Sequence, residues 1–315
     1  MTALSFHFIC SRLRPALSLA AAMGLLIAVI SCAASNQISE PEFTRKSGVE
    51  FAKESQKLDV PYVVTHQAVV RAMLDLAAVR PEDYLIDLGS GDGRINIIAA
   101  KSYGARGFGV DLNAKLVELS RQYALQAGIA DRVAFYVKDL FLTDIGAADV
   151  VTMYLLPEVN LKLRPKLLKE LKPGARVVSQ DFHMEAWRPD DIRIVKDEKG
   201  EDRFLYLWFV PAAVGGRWQW QIPILSDDQS FVLEINQDFQ NIGGTALNQN
   251  IQWRIFNASL TGDQIRFSVI SEADDRMVRQ DYQGRVKGNI IEGTVRLGGT
   301  IAPEVLKWQA ERLNG

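Results

Sequence analysis

A glycine-rich turn between a predicted buried strand and a predicted helix constrains this chain more than any other part of its sequence. The strand is Tyr84–Leu88, the turn reads GSGDGR from Gly89 to Arg94, and the helical pattern starts at Ile95. Glycines let a ligand approach bare backbone, and the helix that follows presents its positive end. Arg94 stands where a dinucleotide-binding fingerprint has its third glycine. We expect a ligand site here, and the alternative is a tight turn that binds nothing.

Acidic residues stand at the ends of three consecutive predicted strands. Asp87 lies two residues before the first glycine, where it could receive the ammonium of an amino-acid ligand. Asp111 ends the second strand and is placed to take both hydroxyls of a ribose. Asp139 follows the third strand, Val133–Val137, and can accept a hydrogen bond from an adenine amino group. A single acid at a strand end more often caps a turn, but three in succession predict a nucleoside site.

Short apolar strands alternate with helix-length amphipathic segments through residues 57–211, which we interpret as one domain. Such alternation is typical of an α/β fold with parallel strands and crossover helices. Thr65 is placed to cap the first helix. Further strands are expected at 148–154, 175–179, 192–195 and 204–210, with a helix at 162–171.

The segment from Tyr84 to Leu140 resembles a class I S-adenosylmethionine-dependent methyltransferase. The glycine turn matches the first motif of that family, Asp111 its ribose acid and Asp139 its adenine acid. The resemblance implies a Rossmann-like, seven-stranded sheet closed by an antiparallel hairpin, with S-adenosyl-L-methionine as methyl donor and no metal. The cofactor-binding residues that it implies are Asp87, Gly89, Ser90, Gly91, Gly93, Asp111, Asp139 and Leu140.

The sequence around Tyr62 (DVPYVVT) is similar to a lid segment of small lysine methyltransferases, a group that includes mitochondrial enzymes acting on membrane proteins. The stretch YLLP…LRPKLL…LKPG, which starts at Tyr154, is similar to exported bacterial relatives. The resemblance implies a protein lysine as acceptor, with Tyr154 or Glu158 orienting its ammonium and Tyr62 walling the cofactor. The three residues are therefore the predicted catalytic set. They could instead be two packing aromatics and an acid at a helix N-terminus.

No nucleic-acid acceptor is expected. The formal net charge is −2, and the Asn-Pro-Pro-Tyr-type tetrapeptide of many nucleic-acid methyltransferases is absent after the fourth strand. Three histidines and two cysteines are too few for a zinc cluster. Two alternatives to lysine methylation remain: a small-molecule methyltransferase, or a non-catalytic exported protein that binds the nucleoside and interacts through another domain.

Residues 1–35 are predicted to be a signal or lipoprotein leader, or an N-terminal anchor. Arg12 and Arg14 precede an apolar run at 16–30, which is typical of an export signal and short for a membrane span. The run ends in VISC, which resembles a bacterial lipobox with Cys32 as the lipidated residue. We expect a linker at 36–56 and a membrane-associated protein on the exported side.

The helical pattern disappears in residues 212–315, which we interpret as a β-rich accessory domain. Short alternating segments are expected at 218–224, 231–238, 251–256, 264–270, 290–295 and 306–310. Gly262-Asp263 and Gly288-Asn289 are typical of hairpin turns, and Trp218 is among four tryptophans expected in the core. The pattern predicts a small antiparallel barrel or sandwich that presents the acceptor or packs on the catalytic domain.

Overall fold

The computed structural model describes residues 62–221, 230–248, 250–273, 276–298 and 304–313. The leader at 1–35, with Cys32, and the linker at 36–56 lie outside these residues and stay predictions. No helix within the described ranges reaches the 18 mostly apolar residues of a candidate membrane span.

The first sheet has seven strands. They are β1 (Tyr84–Leu88), β2 (Arg106–Asp111), β3 (Val133–Val137), β4 (Val150–Met153), β5 (Arg176–Gln180), β6 (Asp191–Lys196) and β7 (Asp202–Phe209). Their order is β3-β2-β1-β4-β5-β7-β6, in which β1 to β5 run parallel and β7 is antiparallel to both neighbours. The order reverses between β1 and β4, which is where ligands bind in open α/β sheets. The predicted Rossmann-like, seven-stranded sheet is confirmed.

The described residues form four α-helices beside this sheet: α1 (Gln67–Leu76), α2 (Arg94–Tyr103), α3 (Ala114–Gln126) and α4 (Pro157–Glu170). Apolar residues at helical spacing bury one face of α1, among them Val69, Met73 and Leu76. α4 begins at Pro157 and not at residue 162, because proline fits the first position of a helix. The predicted cap at Thr65 is wrong. His66 is the N-cap residue of α1, and the Thr65 hydroxyl instead donates to Gln180 Oε1 at 3.1 Å.

The second sheet is antiparallel and has nine strands. They are β8 (Gly216–Gln221), β9 (Ser230–Asp238), β10 (Asn241–Asn248), β11 (Ile251–Arg254), β12 (Phe256–Thr261), β13 (Gln264–Ala273), β14 (Arg276–Lys287), β15 (Ile290–Leu297) and β16 (Glu304–Arg312). The order is β11-β10-β9-β8-β16-β15-β14-β13-β12, so the two edge strands follow each other along the chain. Ile255, between them, donates its N–H to the Gly244 carbonyl of β10 at 3.1 Å. The sheet is therefore nearly closed, which confirms the predicted antiparallel β domain and favours the barrel over the sandwich.

Aromatic side chains fill the barrel. Trp220 stacks on Phe231 with a centroid distance of 5.3 Å, and Tyr282 and Trp308 pack against it edge-on. Gly262 and Gly288 have positive φ at the first central position of their hairpins, as a type II′ turn requires. The domain boundary predicted after residue 211 falls between β7 and β8.

Candidate functional site

The glycine turn leaves β1 and enters α2. Gly89, Gly91 and Gly93 all have positive φ, and the N–H groups of Gly89 and Ser90 both donate to the Val110 carbonyl at 2.9 Å. A Cβ on Gly91 would lie 2.5 Å from Tyr62 Cε2. A Cβ on Gly89 would likewise lie 2.7 Å from Leu155 Cδ2. The glycines are therefore needed both for the backbone conformation and for the close approach of these two side chains.

Asp111, at the end of β2, holds the turn in place. Its Oδ2 accepts the Gly91 N–H at 2.9 Å, and its Oδ1 accepts the Asn113 N–H at 2.8 Å. Burial raises the pKa of this carboxyl, although the backbone hydrogen bonds oppose that shift. Each carboxylate oxygen can accept a further bond, so Asp111 can both order the turn and receive hydroxyl groups.

Asp87, in β1, is a buried acid with an incomplete set of partners. Its Oδ1 accepts the Thr152 hydroxyl at 2.7 Å, and its Oδ2 is buried with no hydrogen-bond partner among the described residues. Burial raises the pKa of Asp87 to about 7, the hydrogen bond from Thr152 opposes this, and the charges of Asp111 and Asp92 add to it. A ligand ammonium would supply the missing partner and stabilise the ionised form.

Arg94 ties the segment before α1 to the glycine turn. Its guanidinium donates to both oxygens of Asp92, at 2.8 and 2.5 Å, and to the Thr65 carbonyl at 2.7 Å. The Tyr62 hydroxyl also hydrogen-bonds Asp92, and burial raises the pKa of Tyr62. Sequence reasoning missed Asp92 and Arg94 as site residues. The signal that could have found them is an acid between the second and third glycines and an arginine directly after the third, where a dinucleotide-binding fingerprint has a glycine.

Asp139 organises the third strand end. Its Oδ1 accepts the Phe141 N–H at 2.8 Å and caps a short 3₁₀ helix at Leu140–Leu142. The Thr143 hydroxyl donates to the Asp139 carbonyl at 2.8 Å. Both bonds fix the Asp139 backbone beside Leu140, so the pair forms a rigid rim for a flat ring.

Ten of the eleven predicted site residues line one cavity of about 380 Å³. They are Tyr62, Asp87, Gly89, Ser90, Gly91, Asp111, Asp139, Leu140, Tyr154 and Glu158. Gly93 is not among the residues that line the cavity, and its role in cofactor binding stays a prediction. Gly93 is the N-cap residue of α2 and packs closely against β3 and α3. A Cβ on Gly93 would lie 2.6 Å from Phe135 Cζ and 2.8 Å from Ser120 Cβ.

The cavity has two walls of different origin. We call the glycine turn with Asp87, Asp111 and Asp139 the glycine-turn wall. The β4–α4 wall consists of Tyr154, Leu155, Glu158 and Lys162, which follow β4 or lie in the first turns of α4.

Tyr154 on the β4–α4 wall belongs to a polar network behind the cavity. Burial raises the pKa of Tyr154, and so do the charge of Asp181 and the hydrogen bond between the two side chains. Arg203 lies 3.5 Å from Asp181 Oδ2 and 2.8 Å from Asp197 Oδ2. Burial opposes the ionisation of Asp197, but the bonds from Arg203 and from the backbone lower its pKa to about 2. Asp181 therefore lies between the hydroxyl of Tyr154, which it hydrogen-bonds, and the cation of Arg203. Sequence reasoning did not assign it.

The cavity combines two kinds of recognition. The glycine-turn wall offers bare backbone, an unpartnered buried carboxylate oxygen and two further acids at strand ends, which suit an amino acid joined to a nucleoside. The β4–α4 wall offers a tyrosine oxygen and an exposed carboxylate, which suit a group that donates hydrogen bonds or carries positive charge.

Comparison with known proteins gives a consistent result for the first sheet. The sequence model of the ANTKMT methyltransferase domain matches residues 87–191. The chain is 44% identical over 139 residues to the protein-lysine N-methyltransferase of Saccharolobus islandicus (strain REY15A), a match that covers 44% of this chain and 86% of that protein. It is 40% identical over 140 residues to the adenine nucleotide translocase lysine N-methyltransferase of Mus musculus. That match covers 44% of this chain and 60% of the length of the mouse relative.

Among the similar solved structures is one that covers about half of the chain. It is described as an RNA methyltransferase from Salinibacter ruber in complex with S-adenosyl-L-homocysteine. The identity is 51%, the match covers 48% of this chain and 96% of that one, and the TM-score is 0.45. The barrel lies outside the residues matched by the family.

Proposed function

This chain belongs to the family of S-adenosylmethionine-dependent methyltransferases that contains the ANTKMT methyltransferase domain, and from that premise we propose that it methylates the side-chain nitrogen of a protein lysine. S-adenosylmethionine supplies an electrophilic methyl group, and the enzyme has to hold donor and acceptor in line. The names of the relatives from Saccharolobus islandicus and Mus musculus support lysine as the acceptor class.

The glycine-turn wall fits the cofactor. Asp87 would pair with the methionine ammonium through its unpartnered Oδ2, and Gly89 to Gly91 would lie along the methionine portion. Asp111 would accept the ribose hydroxyls while it continues to hold Gly91. Asp139 and Leu140 would contact the adenine.

The hydrogen-bond acceptors of the β4–α4 wall are the structural observation that favours lysine as the methyl acceptor. A carboxylate only accepts hydrogen bonds, so the Tyr154 hydroxyl donates its hydrogen to Asp181. The lone pairs of the Tyr154 oxygen are then available as acceptors on the cavity side. Glu158 adds a carboxylate on the same wall. A lysine ammonium, which has a pKa of about 10.4 in water, needs acceptors to orient it and a base to remove its proton.

The proposal is tested by following the methyl group. The full chain in non-ionic detergent is incubated with S-adenosyl-L-[methyl-³H]methionine and, separately, poly-L-lysine, membrane proteins, RNA and a small-molecule extract. We expect label in protein, recovered as methyl-lysine after acid hydrolysis, and none with Asp111→Ala. Label only in RNA or only in small molecules would contradict lysine as the acceptor. Cofactor binding without any transfer would favour the non-catalytic alternative.

We also propose that residues 1–35 place the enzyme at a membrane, on the exported side, with Cys32 as a lipidated residue. The support is the sequence alone: Arg12 and Arg14 before the apolar run, and the VISC motif at its end. Cys32→Ser should abolish the incorporation of radiolabelled palmitate, and Cys10→Ser, the matched control, should not. Equal labelling of both variants, or recovery of the body of the protein in the cytoplasmic fraction, would contradict this proposal.

A further inference from the structure

Phe239 lies at the tip of the β9–β10 hairpin, where the barrel meets the first sheet. Its ring stacks on Trp187 with a centroid distance of 6.3 Å and an interplanar angle of 16°. The Arg164 guanidinium of α4 lies 5.7 Å from the centroid of the same ring. Phe239 thus packs against the core of the first sheet although it belongs to the second.

The backbone at Phe239 is held in an unfavourable conformation. Its φ is +53°, in the left-handed region that a bulky residue rarely adopts. Gln237 Nε2 donates to the carbonyls of Phe239 and Ala212, each at 2.8 Å, and Gln240 Nε2 donates to the Arg188 carbonyl at 2.6 Å. Strain of this kind persists only where surrounding contacts enforce it. The hydrogen bonds of Gln237 and Gln240 therefore hold the hairpin tip in this conformation.

The segment that Phe239 contacts joins β5 to β6, and we call residues 181–190 the β5–β6 loop. Side chains from the first sheet and its helices hold the carbonyls of this loop. Asn160 donates to Phe182 at 3.1 Å, Arg164 to Met184 at 2.9 Å and Trp208 to Trp187 at 2.8 Å. The Trp187 ring completes the contact by stacking on Phe239.

The β5–β6 loop begins with Asp181, the partner of Tyr154 on the β4–α4 wall. Asp181 has a φ of +61°, and its Oδ1 accepts the Phe204 N–H at 3.0 Å. A continuous set of contacts therefore connects the hairpin tip of the barrel with the tyrosine of the cavity, through Trp187 and the loop.

We propose that Phe239 is a positioning residue for methyl transfer: the barrel uses it to fix the β5–β6 loop, and through Asp181 the orientation of the Tyr154 hydroxyl. The inference rests on the proposed function, in which Tyr154 faces the acceptor. Phe239 acts on the β4–α4 wall through Trp187 and the β5–β6 loop. The glycine turn is reached from Asp181 by a longer series of hydrogen bonds, through Gln180 and Thr65 to Arg94. The barrel is then part of the catalytic unit.

A purely structural role, in which the ring only fills space between the two sheets, makes different predictions. Phe239→Gly removes the ring and at the same time relieves the backbone strain, because glycine adopts a positive φ without cost. This gain offsets part of the stability that the lost packing removes. Phe239→Ala removes the ring and keeps the strain. Phe239→Tyr keeps an aromatic ring. Phe256→Ala is the matched control, because Phe256 also lies under an arginine, Arg279 at 5.4 Å, within the barrel itself.

Kinetics with the full chain and whichever acceptor preparation the wild type labels test the proposal. We expect kcat to fall about tenfold in Phe239→Ala and Phe239→Gly, with KM for S-adenosylmethionine within about twofold of wild type. Phe239→Tyr should recover most of the loss, and Phe256→Ala should show none. Combining Phe239→Gly with Tyr154→Phe should add little to the loss of Tyr154→Phe alone, because both act through one group. Wild-type kcat in Phe239→Gly, or fully additive losses, would overturn the proposal.

Hydrogen exchange provides a readout that needs no acceptor. In Phe239→Gly we expect faster amide exchange in the β5–β6 loop and unchanged exchange in β1 and the glycine turn. Unchanged exchange in the loop would overturn the proposal. If the wild type labels no acceptor, the proposed function fails, and this measurement still decides whether Phe239 fixes the loop.

Discussion

The two walls of the cavity are built in different ways. The glycine-turn wall consists of residues at the ends of three neighbouring strands. The hydrogen bond from the Gly91 N–H to the Asp111 carboxylate joins the ends of two adjacent strands, β1 and β2. The β4–α4 wall depends on a loop after β5, on Arg203 of β7 and on a hairpin of the barrel. Cofactor recognition is therefore local to consecutive βα units, and the acceptor side is assembled from distant parts of the chain.

This difference indicates which features of the protein can change independently. A substitution on the glycine-turn wall should alter cofactor affinity. A substitution behind the β4–α4 wall should alter turnover without changing cofactor affinity. The predictions below either separate the two walls or show that they act as one.

The largest effect is expected for Asp111→Ala. It removes the carboxylate that holds the Gly91 and Asn113 N–H groups and that would accept the ribose hydroxyls. Because charge-assisted hydrogen bonds are lost, affinity for S-adenosylmethionine should fall about 100-fold or more, as measured by calorimetric titration. Asp144→Ala is the control, since Asp144 only accepts the Gly146 N–H in an exposed loop. Equal affinities in the two variants would show that Asp111 does not bind the cofactor.

Gly91→Ala should weaken cofactor binding by about tenfold or more, because the new Cβ meets Tyr62 in addition to straining the backbone. Gly128→Ala is a strict control. Gly128 has a φ of +69° and open space around its Cβ position, so only the strain is shared. Adding Tyr62→Ala to Gly91→Ala relieves the clash and keeps the backbone strain, so it should return the part of the folding stability that the clash removes, but not the affinity. Full affinity in the double variant would contradict a cofactor role for Tyr62.

Tyr154→Phe should reduce turnover by about tenfold with cofactor affinity unchanged, because the acceptor loses the oxygen that Asp181 orients. The measurement is kcat together with the dissociation constant of S-adenosylmethionine. Tyr136→Phe, at an exposed position of β3, is the control and should match wild type. A weaker cofactor affinity in Tyr154→Phe would mean that the two walls are coupled.

The last prediction concerns folding and not the reaction, and it is made for the stability of the ligand-free protein. Burial raises the pKa of Asp87 to about 7 from 3.8, so the folded state holds this proton more tightly than the unfolded state does. Ionisation then destabilises the fold as the pH rises from about 4 to 7. Asp87→Asn cannot ionise and should therefore gain about 1–3 kcal/mol over wild type at pH 8, with little difference at pH 4. Denaturant titration at the two pH values measures this, and a gain of the same size at both would contradict it.

The local character of the glycine-turn wall explains why the sequence predicted it well. The strand Tyr84–Leu88 and the acids at 87, 111 and 139 follow from short-range patterns. Gly93 does not line the cavity, and a Cβ there would meet Phe135 and Ser120, so packing also requires a glycine at this motif position.

Contacts between distant residues account for what the sequence did not predict. Threonine is a common helix N-cap residue, but the Thr65 hydroxyl donates its hydrogen bond to the side chain of Gln180, 115 residues away. β10 was missed because Gly243 and Gly244 interrupt its alternation. Gly244 is required there, since a Cβ would lie 1.9 Å from the Glu234 carbonyl oxygen of the neighbouring strand. Asp181 follows the fifth predicted strand, but its contacts with Tyr154 and Arg203 depend on the fold.

The most direct test of the two-wall arrangement is a titration of S-adenosylmethionine into three forms of the full chain: wild type, Asp111→Ala and Tyr154→Phe. We expect binding by the wild type, equal binding by Tyr154→Phe and at least a 100-fold loss in Asp111→Ala. Retained binding in Asp111→Ala, or an equal loss in both variants, would contradict a cofactor wall that is separate from the acceptor wall.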